Sequence, residues 1–454
     1  MAVAPLALAG PATAIEPGVG AVPGMAEPLV ETIPTEPPAP AELPSSTSSE
    51  YFDTPRDLAG CPFRTTPPAP VDESEVPLPG MTVPSPPPAP EAAAGGSALD
   101  GCDEAVPEGF EVPQDVTASA WLISDLDTGE VVAARDAHGR YRPASVIKTL
   151  LASVVLDTLD PERVIDVDES DLEGAEGSLV GVGPGGEYSV EQLLKGLLMA
   201  SGNDAATVLA HQMGGLEATV EAMNAHAAEI GATSTYAATV NGLDGPGMMS
   251  SAYDMSLIFQ DAMTRPAFAE AVATENIGFP GHPAGEGAEP PDPEAPAEAY
   301  AGPVTRDDGA MVNPGFVLAN DNQLLFNYPG ALGGKTGFTD DARHTFIGAA
   351  ERDGRRLAVV LLDGTAVPAS PWQQAAALLD EGFAADDTVG QLEAVPDPAS
   401  EDAEHLAGGP LGAVVGDDAA SSSTVERLGP PAAVGIAGLV VIAGAVLAIR
   451  SRRR

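Results

Sequence analysis

"PASVIKTLLASVVLD", positions 143–157, carries one of only three lysines in a 454-residue chain whose other seventeen basic side chains are arginines. Those lysines are Lys148, Lys195 and Lys335. Pro143 followed by an unbroken apolar run predicts a helix over 145–159. Helical spacing puts residues three apart on one face, so Ser145 and Lys148 are neighbours. Serine attacks poorly until a base takes its proton. A lysine can be that base only when neutral, and at pH 7 neutralising an ordinary one costs roughly 4–5 kcal/mol. Burial and a second cation must lower its pKa. Arginine stays protonated and cannot substitute.

Two further triplets follow in order: Ser201-Gly-Asn203 and Lys335-Thr-Gly337. Lys335 is a candidate for the second cation. A Ser-x-x-Lys by itself is weak, because any helix produces it by chance. Joined to Ser-x-Asn and to Lys-Thr-Gly on a strand, it is specific; this set is a known signature of penicillin-binding proteins and related β-lactamases. The six histidines, His138, His211, His226, His282, His344 and His405, form no His-Glu-x-x-His zinc pattern, and there is no Gly-x-Ser-x-Gly elbow. They read as surface or structural residues, with His344 the one closest to Lys335. Lys195, in "LLKGLL", reads as an exposed position on an amphipathic helix.

Outward from these motifs, "SAWLISDLDTGEVVAARD" predicts two strands around an Asp127-Thr128-Gly129 turn. Ser189 and Gln192 form a capping box that opens a helix through "VEQLLKGLLMA". Helical periodicity continues over 204–213, 216–230 and 251–263. "ALGGKTGFT", "HTFIGAAER" and "RRLAVVLLD" predict strands, the last two joined at Asp353-Gly354, and "SPWQQAAALLDEGFA" a closing helix. Strands at both ends with helices between imply one sheet built from both termini.

With 20 basic against 67 acidic residues, the net charge of −47 excludes nucleic acid as a partner, since its phosphates would be repelled. The 45 prolines and 50 glycines mean that much of the chain is not packed core. The composition divides the chain into a degenerate signal region (1–24), a Pro-rich extended arm (25–111), a catalytic domain (112–386), a polar linker (387–430), a transmembrane helix (431–449) and a cytoplasmic arginine tail (450–454). A further Pro/Glu-rich stretch at 280–303 reads as a surface loop. The apolar "PAAVGIAGLVVIAGAVLAI" would span roughly 28 Å as a helix, close to the hydrocarbon thickness. The arginines after it place the C-terminus in the cytoplasm and the domain on the extracellular face of the membrane. No Lys or Arg precedes Arg56, so the positive region of an export signal is expected upstream of Met1. Cys61 and Cys102 are either one disulfide or two free thiols; outside the cell a lone pair is best read as a disulfide.

The stretches "PASVIKTL", "YSVEQLLKGLLMASGNDAATVLA", "NGLDGPGMMSSAYDMSLI", "NQLLFNYPGALGGKTGFTDDARHTFIGAAERDGRRLAVVLLDG" and "PWQQAAALLDEGF" resemble serine-type D-alanyl-D-alanine carboxypeptidases, the low-molecular-weight penicillin-binding proteins. The Cys-containing preamble resembles their actinobacterial branch. The resemblance implies an α/β fold of β-lactamase/transpeptidase type: a five-stranded antiparallel sheet flanked by helices, plus a helical subdomain carrying Ser201 and Asn203. It implies Ser145 as acylated nucleophile, Lys148 as general base and Ser201 as proton relay. It further implies Asn203, Lys335, Thr336, Gly337 and Phe338 as the substrate-binding set, with Ser145 and Phe338 supplying the oxyanion N–H groups. No cofactor or metal is implied; peptidoglycan stem peptides are the substrates and β-lactams covalent inhibitors. A wall D,D-endopeptidase, a class A-like β-lactamase and a catalytically silent wall-binding protein remain alternatives. The chain departs from the common pattern at Ile147, where Thr is usual, and in having a spacer and spanning helix after the domain.

Overall fold

The computed structural model describes residues 48–77, 80, 82–88, 93–285 and 303–393. The expected signal region, spanning helix and arginine tail lie outside these residues, as does the linker beyond 393. Among the described residues no helix is long and apolar enough to cross a membrane.

In chain order the elements are α1 (Ser48–Asp53), β1 (Glu104–Ala105), β2 (Ala120–Asp125), β3 (Glu130–Arg135), α2 (Lys148–Thr158), β4 (Val164–Asp166), β5 (Glu187–Ser189) and α3 (Val190–Met199). Next come α4 (Asn203–Gln212), α5 (Leu216–Glu229), α6 (Ala252–Met263), α7 (Pro266–Ala273), β6 (Asn276–Phe279) and β7 (His282–Pro283). The chain continues through β8 (Val304–Thr305), β9 (Met311–Asn313), β10 (Phe316–Ala319) and α8 (Gln323–Asn327). Then follow β11 (Ala331–Thr339), β12 (Arg343–Arg352), β13 (Arg355–Gly364), α9 (Pro371–Ala384) and β14 (Gly390–Gln391).

The main sheet runs β1-β3-β2-β13-β12-β11, antiparallel throughout, with β14 also on β3. The five expected strands are therefore present, but the sheet has seven. Two-residue strands from outside 112–386 cover the β3 edge, where unpaired backbone groups would otherwise template further pairing. Local chemistry explains the turns. Asp125 Oδ1 accepts the N–H groups of Asp127 and Thr128, and Gly129 takes φ 73°. Asp353 and Gly354 both have positive φ, 54° and 82°, which the tight β12–β13 hairpin requires.

Helix α2 runs through the core, and every residue from Lys148 to Val155 is buried, which suits a helix with no polar stripe. Leu150, Leu151, Val154 and Val155 join one large core on one face of the sheet. Trp121, Ile123, Val359 and Leu361, on the other face, pack beneath Leu378 and Leu379 of α9. Each such aliphatic side chain contributes about 1.5–3 kcal/mol on burial. The expected capping box is present: Gln192 N donates to Ser189 Oγ, and Ser189 N to Gln192 Oε1.

The sequence left open whether the Pro-rich stretch, read as an extended arm, packs on the domain; its described parts within 48–111 do pack on it. Arg56 pairs with Asp363, Arg142 with Glu75, and Val71 N donates to Asp341 Oδ1. Cys61 and Cys102 form a disulfide across 41 positions, with Cα atoms 5.4 Å apart. Proline has no N–H to donate, and here buried arginines of the domain donate to the arm's carbonyls. Arg140 Nη1, for example, donates to Thr65 O at 2.9 Å. Two expectations need correcting. First, the 280–303 stretch, expected as a surface loop, is strand at its start: β7 pairs with β9, as does β8 just beyond the stretch, while residues 286–302 lie outside the described residues. Second, Lys195 is not exposed. Its side chain is 12% accessible and bridges Glu191 on α3 and Glu270 on α7.

Candidate active site

Ser145 sits just ahead of α2, on a 3₁₀ turn spanning Ala144–Ile147, so the α-helix proper begins at Lys148 rather than at Ser145. Ala144 is held at φ 48°, an uncommon conformation for a residue with a Cβ. The turn is pressed against Gly242, where a Cβ would stand 2.1 Å from Ala144 O. From the other side Thr345 Oγ1 of β12 donates to Pro143 O at 2.8 Å. The nucleophile's backbone is thus clamped between a loop and the sheet.

Lys148 is wholly buried. Its Nζ lies 2.8 Å from Ser145 Oγ and 3.3 Å from Ser201 Oγ, and donates to Asn241 O at 2.6 Å. Burial first, and then the Lys335 charge, hold its ammonium well below the usual lysine pKa; Asp321 and Asp204 oppose the shift more weakly. Burial is what makes this lysine competent as a base.

Ser201 and Asn203 enter from the α3–α4 junction. Ser201 takes φ 60°, a left-handed kink that lets the chain turn between two helices with its Oγ facing Lys148. The loop beside it is anchored by Asp204, whose carboxylate accepts the N–H groups of Val180, Gly181, Val182 and Ala205 at 2.8–3.0 Å. Asn203 is only 3% exposed. Its Nδ2 donates to Glu176 O, while Oδ1 is buried without a hydrogen-bond partner.

Strand β11 forms the opposite wall. Lys335 is wholly buried, with Nζ donating to Thr336 O at 2.8 Å. Burial lowers its pKa, and Asp321 opposes this from 3.8 Å. Thr336 Oγ1 donates to Asp321 Oδ2 at 2.9 Å. At Gly337 a Cβ would lie 3.0 Å from Ser145 N and 3.2 Å from Val146 N, so glycine is what lets the strand close on the nucleophile's amides. Phe338, 46% exposed, stands at the lip with its ring 4.8 Å from that of His344.

All three motifs therefore meet in one cleft. Sequence reasoning missed Asn241, which works through its backbone carbonyl, and Asp321, which shares the Lys335–Thr336 corner. It also missed Thr345 and Asp204, which position other groups. Only short-range motif spacing was legible: Asn241, Asp321 and Thr345 arrive from elsewhere in the chain, and Asp204, though next to Asn203, works on the distant Val180–Val182 loop. Among the described residues no carboxylate hydrogen-bonds to Ser145, Lys148 or Ser201.

Residues 108–277 match the family model for D-alanyl-D-alanine carboxypeptidases, Peptidase_S11. The chain is 44% identical over 282 residues to the D-alanyl-D-alanine carboxypeptidase DacB2 of Mycobacterium tuberculosis, spanning 61% of this chain and 86% of that one. It is 27% identical over 271 residues to DacF of Bacillus subtilis, covering 59% and 62%. A crystal structure of a D-alanyl-D-alanine carboxypeptidase from M. tuberculosis superposes with a TM-score of 0.53 at 43% identity, over 63% of this chain and 99% of that one. With its Ser145–Lys148–Ser201 cluster closed by a Lys-Thr-Gly strand, the chain belongs to the serine-type D-alanyl-D-alanine carboxypeptidase family.

Proposed function

We propose that Ser145 is the acylated nucleophile that removes the terminal D-alanine from peptidoglycan stem pentapeptides. The observation that carries this assignment is the 2.8 Å approach of a fully buried Lys148 Nζ to Ser145 Oγ. Neutral Lys148 takes the Ser145 proton as Oγ attacks the penultimate D-alanine carbonyl. The backbone N–H groups of Ser145 and Phe338 receive the oxyanion, each such donor being worth roughly 10²–10³ in rate. The tetrahedral adduct collapses to acyl-Ser145 as the C–N bond breaks. The proton held on Lys148 passes through Ser201 Oγ, 3.3 Å away, to the departing D-alanine amine. Water, deprotonated by Lys148, then releases the shortened peptide and restores Ser145.

Lys335 and Thr336 hold the substrate's terminal carboxylate, and Asn203 Oδ1 accepts a peptide N–H. β-Lactams acylate the same serine. The domain works on the wall side of a membrane, anchored by the apolar segment at 431–449 with the arginines 450–454 inside. Release of D-alanine from diacyl-Lys-D-Ala-D-Ala by the full chain, abolished in Ser145→Ala, tests the assignment. Turnover that survives in Ser145→Ala would refute it. Surface proteolysis of intact cells tests the topology, which fails if the domain is shielded.

A further inference from the structure

Strand β11 orders the cleft along one line. Lys335 and Thr336 come first, then Gly337 against Ser145 N, then Phe338. On the reading above, a peptide with its carboxylate at Lys335–Thr336 and its scissile carbonyl over Ser145 must leave past Phe338. At that exit the wall is not made by the catalytic domain alone. The ring of Phe52, on α1, lies 5.8 Å from the Phe338 ring at an interplanar angle of 47°. The His344 ring lies 4.8 Å from that of Phe338, so Phe338 contacts two further rings.

Phe52 is also firmly mounted. Arg343 Nη2 donates to Phe52 O at 3.2 Å and to Thr54 O at 2.7 Å. Four residues on, Arg56 Nε donates to both oxygens of the buried Asp363. The Arg343 guanidinium also lies over the Tyr51 ring at 5.5 Å. Two arginines and a buried carboxylate are thus committed to holding an aromatic side chain beside an exposed phenylalanine at the mouth of the cleft.

We propose that Phe52 is a specificity-determining residue: with Phe338 it forms an apolar wall for the stem-peptide residues on the acyl side of the scissile bond. The favoured ligand is an extended peptide whose third residue lays an aliphatic side-chain stem across the two rings. A short acyl-D-Ala-D-Ala substrate ends before reaching them. This inference rests on the placement of the substrate carboxylate at Lys335 and Thr336.

The test compares kcat/KM of the full chain and of Phe52→Ala on an L-Ala-γ-D-Glu-L-Lys-D-Ala-D-Ala pentapeptide and on N-acetyl-D-Ala-D-Ala. The expected result is a fall of about tenfold on the pentapeptide, carried by KM, with the dipeptide changing less than twofold. Equal losses on both substrates would make Phe52 merely structural and overturn the proposal. No change on the pentapeptide, or a gain, would overturn it as well. Failure of the carboxylate assignment is read separately: Lys335→Ala would then leave turnover of both substrates by the wild-type Phe52 protein intact.

Discussion

Arg56 and Asp363 are 307 positions apart, yet the guanidinium Nε stands 2.7 Å from a carboxylate that is 2% exposed. Asp363 also accepts from Ser119 Oγ, with Arg343 Nη1 3.8 Å away. Removing one partner of such a buried pair leaves the other charge uncompensated, which costs about 3–5 kcal/mol. Arg343 and Ser119 soften that loss, so Arg56→Ala is expected to lower unfolding stability by about 2–3 kcal/mol. Urea titration measures it, and a change below 0.5 kcal/mol would mean the arm is not energetically coupled to the sheet.

Lys148→Arg is expected to abolish acylation by a fluorescent penicillin while the protein stays folded. A permanent cation cannot take the Ser145 proton. The larger head must also fit where Nζ now donates to Asn241 O, so circular dichroism accompanies the labelling. Normal labelling of a folded variant would remove Lys148 from the role of base.

The two buried lysines set opposite limbs of the pH profile. On the proposed mechanism activity needs Lys148 neutral, so it is expected to rise as pH climbs through the lowered Lys148 pKa. The same mechanism needs Lys335 charged, so activity is expected to fall as pH climbs through the lowered Lys335 pKa. Asp321 raises both, and Asp321→Asn is therefore expected to move both limbs of kcat/KM to lower pH. A profile unmoved by this substitution would show that Asp321 does not reach either ammonium.

Gly337→Ala would place a methyl group 3.0 Å from Ser145 N and 2.3 Å from Thr345 Oγ1. Thr345 must then release Pro143 O, and the amide side of the cleft closes. A loss of acylation rate on the order of 10²–10³, that of one oxyanion donor, is expected with little change in melting temperature. Stopped-flow acylation checks this; an unchanged rate would place the oxyanion site elsewhere.

Closing a loop across 41 positions, the Cys61–Cys102 disulfide is worth about 4 kcal/mol in the chain-entropy model. Reduction is expected to lower the melting temperature by several degrees, and calorimetry with and without reductant decides the point. Identical transitions would show that the arm unfolds independently of the domain.

Much of this molecule was legible because its chemistry is local. Ser145 and Lys148 sit three apart, and the capping box at Ser189 and Gln192 is also a three-residue signal. The Asp353-Gly354 hairpin declares itself through its need for positive φ. The docking of the arm was not legible, because its determinants are single arginines. Nothing near Arg56 in the sequence marks it as the partner of Asp363, and Pro-rich composition argues for a solvated chain when considered alone. The small β7–β9–β8 sheet was hidden for the same reason, with proline and glycine dominating its flanks. Phe52 was invisible as a site residue because its relevance lies entirely in contact with Phe338.

The pairing of β2 with β13 sets Asp125 opposite Leu357, a separation of 357 − 125 = 232 residues. The sheet's middle seam therefore joins the first and last thirds of the folding unit. A chain emerging from the ribosome exposes the β2 edge of the β2–β3 hairpin until β13 has been made, and partial chains cannot bury the core on either face. Such long-range closure makes folding slow and leaves nascent chains sticky. The polypeptide is thus obliged to fold as a completed whole, which keeps it pliable for as long as synthesis lasts.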